Sequence, residues 1–140
     1  MPIFPLSMVF IALPSFSPLV FGYDNVSNAV LVTCQMEVEG RQLVSVLDGI
    51  STLLAAHRGS RLLLDLQYLV ALDAPSLASI TGEWLPAVHG QGLRVIALVP
   101  PAKKRARAAV EALKAGAAQL GFRVATFLTT EGAHQWLTQH

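Results

Sequence analysis

The stretch Arg61-Leu-Leu-Leu-Asp-Leu-Gln-Tyr-Leu-Val-Ala-Leu-Asp-Ala-Pro-Ser76 constrains the fold more than any other part of the chain. A near-continuous apolar run suits a strand buried on both faces, the situation of a parallel strand covered by helices. The run leads to Asp73, a good helix N-cap, and to Pro75, which fits a first helical turn. Such a strand-to-helix join lies at the carboxyl end of a strand, where open α/β sheets meet ligands and partners.

The flanking patterns extend this reading. Pro18–Tyr23 and Ala29–Met36 read as strands joined by the turn formers Asp24-Asn-Val-Ser-Asn28, a hairpin. Leu43, Val46, Leu47, Ile50, Leu53 and Leu54 then recur at helical spacing, with Glu37 and Glu39 near the start. His57 falls at the solvated end of that helix, and Gly59 is its expected cap. The helix after Asp73 buries Leu77, Ile80, Trp84, Leu85 and Val88, and Gly82 with Pro86 predicts a kink or restart. A strand over Leu93–Val99, a helix from Lys103 to Leu120 and a strand over Phe122–Leu128 follow. A short helix capped by Thr129 or Thr130 and anchored by Trp136 and Leu137 closes the chain. A hairpin followed by right-handed crossovers predicts an α/β domain over residues 18–140: a single mixed, mainly parallel sheet of about five strands covered by helices.

Residues 1–17 are a different kind of segment. The first 23 residues have no charged side chain, yet they lack a basic n-region, and Pro2, Pro5, Pro14 and Pro18 would break a spanning helix. The expectation is an apolar arm or extra edge strand, packed on the domain or on a second copy in a homodimer, and not a membrane anchor. The apolar fraction of 53% and charged fraction of 14%, against about 25% for soluble domains, exclude disorder and put some apolar surface against a partner. A net charge of +1 gives no global basic character, which argues against nucleic acid as a partner. Cys34 is the only cysteine, so there is no disulfide framework, and a reducing, cytoplasmic setting is the simplest reading.

Motifs for chemistry are scarce. No spacing of His, Cys and carboxylates suits a metal, no nucleophile elbow or phosphate loop occurs, and Cys34 reads as a small core residue. The chain is therefore read as a non-enzyme without cofactor. Asp65 is the polar residue that needs explaining, because an ionised carboxylate in a buried strand is costly. With Gln67 on the same face it is expected to form a small hydrogen-bonded network and to bond amides of the adjacent loop, the alternative being a role in binding a ligand or metal. Lys103, Lys104, Arg105 and Arg107 crowd a helix N-terminus, where cations oppose the macrodipole; they read as a solvated face or as an anion site.

The segment Leu63-Leu-Asp-Leu-Gln-Tyr-Leu-Val-Ala-Leu-Asp-Ala-Pro-Ser-Leu-Ala-Ser-Ile80 resembles the signature of STAS domains, the fold of bacterial anti-sigma-factor antagonists. In that family a Leu-Asp-Leu strand is followed by an apolar stretch, Asp-Ser-Ser-Gly-Leu and a helix. The strand at Leu93–Val99 with its Pro-Pro exit and the closing Glu131…Trp136-Leu137 helix are similar, so the resemblance spans residues 18–138. It implies a regulatory module that binds another protein through Asp73, Ala74, Pro75, Ser76 and Leu77. The alternative is a small-molecule or lipid carrier of the same fold, with a cavity opened near Gly82 and Pro86. The family's phosphorylated Ser corresponds to Ala74 and the next Ser to Pro75, so the usual switch is lost, and Ser76 is left as a displaced acceptor.

Overall fold

A computed structural model describes residues 8–10 and 18–140. In chain order the elements are β1 (Met8–Phe10), β2 (Leu19–Asp24), β3 (Ala29–Cys34), β4 (Val38–Glu39), α1 (Gly40–Ser45), α2 (Leu47–His57), β5 (Arg61–Asp65) and β6 (Leu69–Ala71). Then come α3 (Ala74–Ser79), a π turn (Ile80–Trp84), α4 (Leu85–Gln91), β7 (Val95–Val99), α5 (Lys104–Gln119), β8 (Arg123–Thr126) and α6 (Thr130–Gln139). One sheet has the order β1-β2-β3-β5-β7-β8. The β1–β2 and β2–β3 pairs are antiparallel, whereas β3, β5, β7 and β8 run parallel, as the crossover pattern predicts. Strand β1 adds an edge to the five strands of residues 18–140; the rest of the expected arm, residues 1–7 and 11–17, lies outside the described residues.

Strand alternation divides the sheet between two cores. Val30, Val32, Leu62, Leu64, Ile96 and Leu98 join the larger one, with Leu43, Ile50, Leu85, Val110 and Leu113 from the helices. Ala29, Leu31, Leu63, Val95, Ala97 and Val99 face the other way and are covered by Ala133 and Leu137 of α6. Because β5 is covered on both faces, its sequence reads as an unbroken apolar run. Helix α6 is also fastened by polar groups. Thr130 Oγ1 donates to Asp65 Oδ2 at 3.0 Å, and one turn on, His134 Nε2 meets Asp24 Oδ2 at 2.5 Å. Asp24 is itself buried and accepts from Ser27 Oγ and from the amides of Val26 and Ser27, which fixes the hairpin turn.

Four local readings change. Strand β5 stops at Asp65, and the apolar residues beyond it re-enter as β6, paired parallel with β4 in a separate two-stranded sheet. The first helix is broken at Val46 (φ −103°, ψ −1°) into α1 and α2. The left-handed cap of α2 is Arg58 (φ 49°); Gly59 follows it, and a Cβ there would lie 2.9 Å from Leu54 Cδ2 and would displace that side chain. At Pro86 the helix is neither interrupted nor restarted. It widens into the π turn, in which the Leu85 amide reaches back to the Ile80 carbonyl. The extra residue per turn accommodates a proline that has no amide to donate. No helix among the described residues is long and apolar enough to cross a membrane.

If α6 closes the second core, Leu137→Ala should destabilise the protein by about 2–5 kcal/mol in urea unfolding. A loss no larger than that of an exposed substitution would mean that α6 is not docked.

Candidate functional site

The carboxyl ends of β3, β5, β7 and β8 come out on one edge of the sheet, and the loops that follow them carry an unusual surface. Met36, Tyr68 and Leu128 follow β3, β5 and β8, and they are 51%, 52% and 94% exposed. Among the described residues the remaining large apolar side chain with comparable exposure is Val26, in the β2–β3 hairpin at the opposite end. Between Tyr68 and Leu128 lies an open cleft of about 380 Å³ lined by Gln67, Pro100, Pro101, Arg107 and Phe127. Pro100 and Pro101 stop β7 and present rings in place of donors on this rim.

Asp65 organises the floor of this edge. Its side chain is 3% exposed. One carboxylate oxygen accepts from the Gln67 amide at 3.2 Å and from Gln67 Nε2 at 2.9 Å, and the other accepts from Thr130 Oγ1. The expected Asp65–Gln67 network is present, and it includes a third member from α6 that the sequence reading missed. By bonding the backbone two residues on, Asp65 ends β5 and turns Tyr68 outward. Cys34, beside this network, is buried; desolvation, reinforced by the Asp65 carboxylate, pushes its thiol up to about 12 against the opposing hydrogen bond from the Tyr68 amide. Buried and neutral at ordinary pH, that thiol packs as a core group.

The corner over residues 73–77 adjoins the two-stranded β4–β6 sheet. Asp73 is the N-cap of α3, and its Oδ2 accepts from the Ser76 amide at 3.2 Å. The Ser76 hydroxyl, then its amide, holds the Asp73 carboxyl below the usual carboxylate range, with a smaller contribution from Arg41. Ala74 and Pro75 are exposed, and Leu77 is partly buried against the larger core. Ser76 is 7% exposed, and α1 approaches it closely: a Cβ on Gly40 would lie 3.2 Å from the Ser76 Cβ and 2.7 Å from Leu72 Cδ1. Its hydroxyl thus serves the cap in this arrangement. Glu37, Glu39 and Arg41 line a wider open cleft next to this corner, and Arg41 Nε pairs with Glu39 Oε2 at 3.0 Å.

The four cations expected at an anion site begin α5. Lys103 is its N-cap without a side-chain cap bond, and Lys104, Arg105 and Arg107 are exposed in the first turns. Arg107 is partly fixed, because its Nη2 donates to the Ala102 carbonyl at 2.8 Å and its Nε to the Pro101 carbonyl at 3.4 Å. Among the described residues, no group of three or more His, Cys, Asp and Glu side chains is arranged to hold a metal.

No family model, curated protein or solved structure matches this chain. The class is therefore stated at the level the fold defines: an α/β protein with a mixed, mainly parallel sheet between helices.

Two measurements check the site's internal bonding. Asp65→Ala should cost about 1–3 kcal/mol, and a double-mutant cycle with Thr130→Val should show coupling; additive losses would place the two side chains apart. Asp73 has its folded pKa below the ordinary 3.8, so its contribution is present above that pH and is lost as pH falls through the folded value. The stability gap between the wild type and Asp73→Ala should therefore narrow on acidification, and a gap that stays constant would refute the cap.

Proposed function

We propose that this chain is a non-enzymatic regulatory module of STAS-like type that binds another protein across the carboxyl edge of its sheet. The observation that carries the reading is that three exposed apolar side chains, Met36, Tyr68 and Leu128, all follow strands that end on this edge. Exposed apolar clusters of this kind mark interaction surfaces. The Asp-Ala-Pro-Ser arrangement supports a partner held by shape and apolar contact, without a phosphate switch at Ala74. A carrier of small molecules or lipids draws less support. Ile80, Trp84, Leu85 and Val88, at the helix bend where such a cavity was expected, are buried in the core.

Photo-crosslinking in the native host tests the reading. A benzoylphenylalanine placed at Tyr68 or at Ala74 should trap one discrete protein, whereas the same group at Val26 should not. Equal trapping from Val26, or none from the edge positions, would refute the proposal.

A further inference from the structure

The four cations of α5 are in the wrong place for their own helix. Its first turn has no acidic residue, its N-cap side chain makes no capping bond, and positive charge opposes the macrodipole there. None of Lys103, Lys104, Arg105 and Arg107 forms an ion pair among the described residues. A local preference broken without compensation inside the fold is expected at functional sites. These cations follow directly on Pro100, Pro101 and Ala102, so the charged patch and the apolar cleft share one border, with Arg107 in both.

We propose that this border is a docking surface for an acidic amphipathic segment of a protein partner. Apolar side chains of the segment enter the cleft between Tyr68, Phe127 and Leu128, and its carboxylates meet Lys103, Lys104, Arg105 and Arg107. The Pro101 and Ala102 carbonyls hold the Arg107 guanidinium at the cleft mouth and leave Nη1 for a carboxylate oxygen. Charge complementarity selects an acidic partner, and the concave cleft favours a peptide side chain over a flat lipid surface. The assignment rests on the protein-binding reading above and adds the chemistry of the partner to it.

The probe is a fluorescein-labelled helical peptide with Leu and Phe on one face and Glu on the other, titrated against the full chain by anisotropy. The expected result is saturable binding that weakens as salt is raised. Binding should fall about tenfold in Lys104→Glu/Arg105→Glu and again in Leu128→Asp, while Arg123→Glu leaves it unchanged. These positions are exposed, and circular dichroism of each variant checks that the fold is kept. Equal affinity for polyglutamate, a charge-reversed peptide that binds as well, or binding to anionic vesicles but not to the peptide would each overturn the proposal. If the protein trapped from Ala74 is still captured by Lys104→Glu/Arg105→Glu and by Leu128→Asp, the interaction module stands and this docking surface falls.

Discussion

The Asp65 carboxylate is the constraint on which the rest of the structure depends. It is buried where the central strand ends, and an unpartnered charge there would cost several kcal/mol. Three groups relieve that cost: the Gln67 amide, the Gln67 side chain and Thr130 of α6. Satisfying Asp65 thus stops β5, shapes the Tyr68 loop and fixes the start of the helix that covers the second core. The carboxyl edge of the sheet is built on this polar point.

The same logic explains why α6 matters beyond its length. Its inward stripe pairs two small apolar contacts, Ala133 and Leu137, with two polar anchors, Thr130 and His134. Both anchors end on buried carboxylates of the face that α6 covers, Asp65 and Asp24. The apolar contacts supply area, and the polar ones set position, because only one placement of the helix satisfies both acids.

Much of the architecture was legible in the residues. The unbroken Leu62–Leu64 run, the Asp24–Asn28 turn, the Asp73 and Thr129 caps and the Pro100-Pro101 stop all act locally, so their meaning survives in the sequence. What escaped was set by tertiary context. The apolar run read as one strand from Arg61 to about Leu69, and the turn made by Asp65 ends it earlier and leaves Leu69–Ala71 as β6. Gly82 and Pro86 signalled an irregular helix, but not its form: a continuous helix with a π turn, in which Ile80, Trp84 and Leu85 pack into the core. The bonds of Thr130 to Asp65 and of His134 to Asp24 gave no signal, since their partners lie far away in sequence. The apolar rim was equally invisible, because Met36, Tyr68 and Leu128 are single residues in three separate loops. The cationic run was visible, and its neighbourhood to the cleft was not.

Hydrogen–deuterium exchange of the chain, free and bound to its captured partner, tests the central claim most directly. Slowed exchange is expected in residues 66–69, 102–107 and 127–128, the segments that follow β5, β7 and β8. Protection confined to the Asn25–Ser27 turn and the exposed face of α2, with those loops unchanged, would contradict it.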